Sequence, residues 1–509
     1  MKVFFAPLIV TAFLVQCTVF ADECIDTITG SSTTQTSSQA VLSSLTTTTA
    51  TSTVSSTTSA GSGKSLVVVE PVISCSDLAS VDLTSIGGNG TNITETTETD
   101  VDGVSYCYVE GYLPPQAKWM LRLPIATWTQ RYLQAGCGGL RLSSTTRTWR
   151  SQHGGAVQDP DQEYYGQEQQ YAYFNGCSDG GREAVMTALR YPEDFNGIIA
   201  GAPAMLWQFQ NSFHHAWDAV SNLDKNEEPI FNPSRIPILH DAVIAACDTL
   251  DGVKMVAVDF YTGPVDEASG EHLTVGEMQF GSETAWIGVG IPATDGGSVA
   301  SESMALSTLR YLVFENAPGA NYTLADFVFA NSTIDLLRPH HPFLDAVSPD
   351  LSPFHEAGGK LILWHGWADQ HISPHTTIQY HEKLIDNMGE AAVEDFNRLY
   401  IFPGVWHCGD GEGMASFDLL TPMLDWVESG SAPHEIMTST EVDSSESGSS
   451  STVYRTRPAY PYPSVAKYTG SGDVNDAANW EESDALYSNL TAYWLGVDFF
   501  DMFTPVMEP

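Results

Sequence analysis

Over its 509 residues the chain carries 21 Lys and Arg against 63 Asp and Glu, a formal charge of −42. So acidic a surface repels phosphate backbones and anionic lipid, which argues against nucleic acid or a membrane as partner. A hydrophobic content of 42% supports a sizeable core, and the length suits one large domain with an insertion or roughly two to three domains.

Met1 to Ala21 reads as a signal peptide: Lys2, an apolar run from Val3 to Phe20, then Val19-Phe20-Ala21 as a small-residue cleavage site. The run is short for a membrane span. Sequons at Asn89, Asn92, Asn321, Asn331 and Asn489 agree with export, so the expected location is secreted and extracellular. Residues 22–64 are Ser/Thr-rich with almost no aromatic side chains, the composition of a disordered linker. Of eight cysteines, Cys17 leaves with the leader, so an odd number remains and at least one is unpaired or intermolecular.

From Ser65 the composition turns globular. Ser105 to Leu113, Trp119 to Leu123 and Arg131 to Ala135 read as strands. The last runs into Gly136-Cys137-Gly138-Gly139. This is either an ordinary glycine turn or a loop that gives Gly138 or Gly139 as an oxyanion donor. Leu140 to Glu163 has no period and is dense in arginine. It is too short and polar to supply a further strand and helix.

The strand-like Tyr171-Ala172-Tyr173-Phe174 leads into Asn175-Gly176-Cys177-Ser178-Asp179-Gly180-Gly181, followed by helix formers from Arg182 to Tyr191. Strand, Gly-x-Ser-x-Gly, helix is the setting of a nucleophile elbow. It predicts Ser178 as nucleophile, with the Asp179 N–H at the helix N-terminus as an oxyanion donor. The bland reading is a glycine-rich surface turn that contains a serine.

Phe195 to Ala204 reads as a short buried strand. Residues 205–345 then lose the strand–helix alternation and read as an inserted lid. Within it Cys247-Asp248-Thr249-Leu250-Asp251-Gly252-Val253 suits a hard cation such as calcium, through Asp248, Asp251 and the Val253 carbonyl, or is simply a turn. The sheet resumes at Lys360 to His365, placing Asp369 on the loop that follows. Asn397 to Phe402 leads into Trp406-His407-Cys408. The order Ser178, Asp369, His407 is that of the α/β-hydrolases. His365 reads as a packed residue at a strand end, His371 and His375 as pocket lining, and His214 and His215 as residues of the lid.

These stretches resemble the fungal tannase and feruloyl esterase family: Asn175 to Glu183, Arg190 to Pro203, Trp364-His365-Gly366-Trp367-Ala368-Asp369, Trp406-His407-Cys408 and Tyr468 to Asn479. The resemblance covers about Cys75 to Asn479. It implies an α/β-hydrolase fold with a large inserted lid, a disulfide between Cys177 and Cys408, and a secreted serine esterase. The implied substrates are small phenolic esters or feruloylated plant polysaccharide, with galloyl esters, as for a tannase, the alternative. Its calcium loop would keep Asp248, Asp251 and Val253.

The chain also departs from the family. Arg141 to Gln162 replaces a longer stretch with a further cysteine and a βα unit, so one internal βα segment is expected to be missing. The lid jumps from Lys254 to Met255 and drops further acidic ligands. Cys247 and Cys137 are thereby expected to be without partners, and an inactive, truncated relative is a further alternative. The expected division is 1–21 leader, 22–64 linker, 65–204 and 346–509 hydrolase core, and 205–345 lid.

Overall fold

A computed structural model of the chain describes residues 64–115, 117–138, 160–248, 260–443, 452–484 and 493–501. Its centre is a five-stranded, all-parallel sheet. The strands are β4 (Arg131–Ala135), β5 (Tyr171–Cys177), β6 (Gly197–Gly201), β7 (Lys360–Gly366) and β8 (Asn397–Phe402), side by side in chain order. Parallel strands covered on both faces need continuous apolar runs rather than alternation. Every residue of β6 is buried, as are Leu361 to Gly366 of β7.

One face packs on the elbow helix Asp179–Arg190 and the helix Pro374–Met388, with Phe174, Ile198, Leu363 and Ile378 in the core. The other face packs on the helix Leu420–Ser429, with Tyr173, Ile199, Trp364 and Met423. A buried ion pair joins that helix to the sheet edge: Glu428 takes hydrogen bonds from Arg131 at 2.6 and 2.7 Å and from the Tyr173 hydroxyl at 2.8 Å.

An antiparallel sheet precedes it: β1 (Asn92–Val101), β2 (Val104–Leu113) and β3 (Ala117–Pro124). The disulfide Cys75–Cys107 and the stacked Trp128 and Tyr165 lie in its core. Among the described residues no strand pairs with the outer edge of β4, and this sheet is not hydrogen-bonded to the central one. Most of the stretch in which a βα unit is expected to be missing, residues 139–159, lies outside the described residues.

The chain between β6 and β7 holds helices and turns, and no strand among its described residues. Part of it joins the main core through Phe209, Phe213 and Phe327. Part forms a core of its own around Phe260, Trp286 and Ile291. The short strand β9 (Ser416–Phe417), the hairpin β10 (Ile436–Asp443) and β11 (Thr452–Ala459), and the pair β12 (Val465–Tyr468) and β13 (Trp480–Ser483) close the chain. No described helix is long and apolar enough to cross a membrane.

Candidate active site

Ser178 stands between β5 and the elbow helix at φ 65°, ψ −124°. A positive φ at a non-glycine residue costs about 1–3 kcal/mol and persists only where the surroundings enforce it. Here they do. The Ser178 N–H donates to the Gly201 carbonyl at 3.0 Å, and the Ser178 carbonyl accepts from Ala204 at 3.0 Å and Arg182 at 3.1 Å. The turn is also pressed from behind. A Cβ on Gly176 would fall 2.2 Å from the Gly180 carbonyl oxygen, and one on Gly136 would fall 2.6 Å from the Gly180 Cα.

This contact seats the glycine loop after β4 against the start of the elbow helix. The Cys137 N–H donates to Glu183 Oε2 at 2.9 Å, which anchors the loop to the same helix. Gly138 follows directly; Gly139 lies outside the described residues. The expectation of an unpaired Cys137 is corrected: Cys137 is disulfide-bonded. Its partner is none of Cys75, Cys107, Cys177 and Cys408, which pair with one another. Asp179 is buried beside Ser178. Its carboxylate pairs with Arg182 at 2.6 Å, while burial raises its pKa.

Asp369 sits on the loop after β7 and is 1% exposed, yet all of its bonding capacity is used. Oδ1 accepts the N–H groups of His371 at 2.7 Å and Ile372 at 3.0 Å. Oδ2 faces His407 Nδ1 at 2.7 Å and His365 Nε2 at 3.0 Å. Burial alone would raise its pKa, but His407 and His365 outweigh this and hold the carboxyl well below its ordinary value. His365 is therefore more than packing. Its Nε2 faces two acceptors, Asp369 and the Ile372 carbonyl, so that nitrogen carries the proton, and Nδ1 accepts from the Thr377 hydroxyl at 2.8 Å.

The loops carrying Asp369 and His407 are locked at the backbone. A Cβ on Gly366 would lie 2.3 Å from the Val405 carbonyl oxygen, and the Ala368 N–H donates to that carbonyl at 3.0 Å. On the other side the bridge Cys177–Cys408, with its Cα atoms 5.9 Å apart, joins the immediate neighbours of Ser178 and His407. The strand-end loops thus bring together the regions of Ser178, Asp369 and His407, from β5, β7 and β8. The His407 ring packs edge-on against His371 at 5.0 Å, and burial lowers the His371 pKa to about 4.

Two partners were not foreseen from the sequence: His365 as a second holder of Asp369, and His371 as the packing surface of His407. Each has a local signal, since His365 precedes Asp369 by four residues and His371 follows it by two. Of the expected calcium ligands, Asp251 and Val253 lie outside the described residues, and Asp248 is described only as the last residue of the helix Ile236–Asp248.

A parallel sheet with a serine at a strand–helix elbow and an acid–histidine pair on neighbouring strand-end loops defines an α/β-hydrolase-type chain. The chain belongs to the tannase and feruloyl esterase family, whose model matches residues 161–259 and 253–482. It is 33% identical over 367 residues to a probable feruloyl esterase of Arthroderma benhamiae, covering 62% of this chain and 64% of that one. It is 29% identical over 395 residues to the mono(2-hydroxyethyl) terephthalate hydrolase of Piscinibacter sakaiensis, again covering 62% and 64%. The chain thus spans 64% of the length of each of these two relatives. The crystal structure of feruloyl esterase B from Aspergillus oryzae shares the fold. Its TM-score is 0.63 at 19% identity, over 81% of this chain and 100% of that one.

Proposed function

We propose that the chain is a secreted serine esterase of aromatic carboxylic esters, with feruloyl esters of plant cell-wall polysaccharide as the first substrate class and galloyl esters as the second. The observation that carries this reading is the His407–Asp369 hydrogen bond on a loop tied through Cys408–Cys177 to the elbow of Ser178. The names of the relatives support the substrate class: one acts on feruloyl and the other on terephthalate esters, both aromatic acids. The paired cysteines suit an oxidising compartment.

In this mechanism Ser178 Oγ attacks the ester carbonyl as His407 Nε2 takes its proton. Nδ1 is already turned to Asp369, so Nε2 is the nitrogen left for that transfer. Asp369, held anionic by its four partners, steadies the imidazolium that forms. The Asp179 N–H, with one from Gly138 or Gly139, holds the oxyanion. His407 then protonates the leaving alcohol, and water completes the cycle by the same route. Residues 205–345 act as the lid that clamps the aromatic acid. A structural calcium at Asp248, Asp251 and Val253 belongs to the proposal, but no step runs through it. Calcium binding that Asp251→Asn removes would support that site.

The test is hydrolysis of methyl ferulate and methyl gallate by the secreted protein beside Ser178→Ala. Hydrolysis abolished by the substitution supports the reading, and the preferred ester selects between its two substrate classes. A folded wild type that hydrolyses neither contradicts it.

A further inference from the structure

A second group of buried titratable side chains lies in the inserted segment, outside the proposed catalytic set. His214 ends a π-helical turn, Gln210–His214, and His215 opens the α-helix His215–Ser221 that continues from it. π-turns are uncommon and concentrate at functional sites. Asp218 follows them at four and three residues, the helical spacing at which each histidine neighbours the carboxylate.

His214 Nε2 is 3.3 Å and His215 Nδ1 3.8 Å from Asp218 Oδ2. One donor atom from each of the three residues falls within 4.8 Å of the others. All three residues are buried, and His214 Nε2, His215 Nε2 and Asp218 Oδ1 have no hydrogen-bond partner. Buried polar atoms left unmatched cost about 1–3 kcal/mol each, so several in one cluster point to a missing ligand.

We propose that His214, His215 and Asp218 bind a first-row divalent cation, and that zinc is the ion they fit. Two imidazoles and a carboxylate are a zinc donor set, and three protein ligands leave the fourth position to water. Zinc–ligand bonds of about 2.0–2.2 Å put tetrahedral donors roughly 3.3 Å apart; His214 Nε2 and Asp218 Oδ2 already stand at 3.3 Å, and the whole set lies within 4.8 Å, so binding draws the three side chains together.

The surroundings are those of a metal site. Glu277 pairs closely with His214 Nδ1. A carboxylate that accepts from one ring nitrogen of a histidine fixes the tautomer whose other nitrogen can ligate, which here is Nε2, on the side of Asp218. Ser301 stands 3.0 Å from His215 Nδ1 and 3.4 Å from Asp218 Oδ2, and orients both. His214 also lines a cavity with Gln210, Thr274 and Ser373, whose side-chain oxygens are buried and unpartnered and could hold the water ligand.

Such an ion would tie the π-turn to the loop bearing Glu277 and to the helix Ala300–Tyr311, which carries Ser301. His215 in turn packs on His371, the residue that touches His407.

The experiment uses the full secreted chain, stripped with EDTA, reloaded with zinc and freed of excess by gel filtration. Elemental analysis should return one zinc per chain, with a higher melting temperature than the stripped protein. Asp218→Asn and His215→Gln should each abolish retention, and Glu277→Gln should weaken zinc binding about 10–100-fold. Asp251→Asn should retain the ion as wild type does, which separates this site from the expected calcium loop. Cobalt loaded into the unaltered protein should give the visible absorption of a tetrahedral His/carboxylate site, a readout that does not depend on whether a variant folds. No zinc above the buffer level, retention by Asp218→Asn equal to wild type, or an octahedral cobalt spectrum would each overturn the proposal.

Discussion

Asp369 and Asp218 are both buried carboxylates flanked by two histidines, and their surroundings act on them in opposite directions. Asp369 has a backbone N–H pair on one oxygen and His407 with His365 on the other, and its pKa is driven well down. Asp218 has no backbone donor, only the Ser301 hydroxyl at 3.4 Å and His214 Nε2 at 3.3 Å, both on one oxygen. Burial dominates there, Glu277 adds to it, and the pKa is raised despite His214. The difference lies in what the backbone supplies. The loop after β7 closes on its own carboxylate, whereas Asp218 sits mid-helix, where every nearby N–H is already committed to the helix. The first arrangement is complete as it stands. The second has unfilled donors and acceptors.

The most severe way to break the contrast is Asp369→Asn. With no anion to steady the imidazolium and the wrong tautomer favoured at His407, kcat on an aromatic ester should fall about 10⁴-fold. The same substitution carries a pH signature. The folded pKa of Asp369 lies below its ordinary 3.8, so its contribution to stability is present above that value and lost as pH falls through the folded pKa. Urea midpoints below pH 4 should therefore fall less steeply in Asp369→Asn than in wild type.

Removing the bridge with Cys177→Ser and Cys408→Ser together should cost about 2–5 kcal/mol in chemical denaturation, since the bridge closes a long loop of 231 residues. Activity should fall with it, because Ser178 and His407 lose their tie.

The contrast sharpens with His365→Gln. Loss of one charged hydrogen bond of the four on Asp369 should lower kcat about 10–100-fold, with KM little changed. A loss confined to stability would make His365 a packing residue only. The smallest effect is expected at Asp218→Asn in metal-free protein. Asparagine resembles the protonated acid in shape, so stability should stay within about 1 kcal/mol of wild type by urea denaturation. A larger loss there than at Asp369 would undo the comparison.

The central sheet was largely legible in the sequence. β4, β5, β7 and β8 are short apolar or aromatic runs closed by Gly or by the catalytic-type motifs, and buried parallel strands leave that signature. β1 was missed because Asn92–Val101 is mostly Thr, Glu and Asp, an exposed strand with no apolar alternation. The hairpin of β10 and β11 leaves little signal because Thr, Ser, Glu and Arg outnumber the apolar residues in it. The Asp369–His407 pair could be read because chain order and strand-end position suffice to bring those two loops together. The role of His365 could not, since it depends on how tightly the loop after β7 folds back. The link from Glu277 to His214 spans sixty-three residues and has no sequence signal at all. Counting family partners leaves Cys137 an orphan, yet it is bonded.

The most direct test of the account is labelling of the purified protein with a fluorophosphonate, read by intact mass and peptide mapping. The account predicts one adduct per chain, on the peptide containing Ser178, absent in Ser178→Ala and strongly slowed in His407→Ala. A folded wild type that takes no label, or labels at another serine, would contradict it.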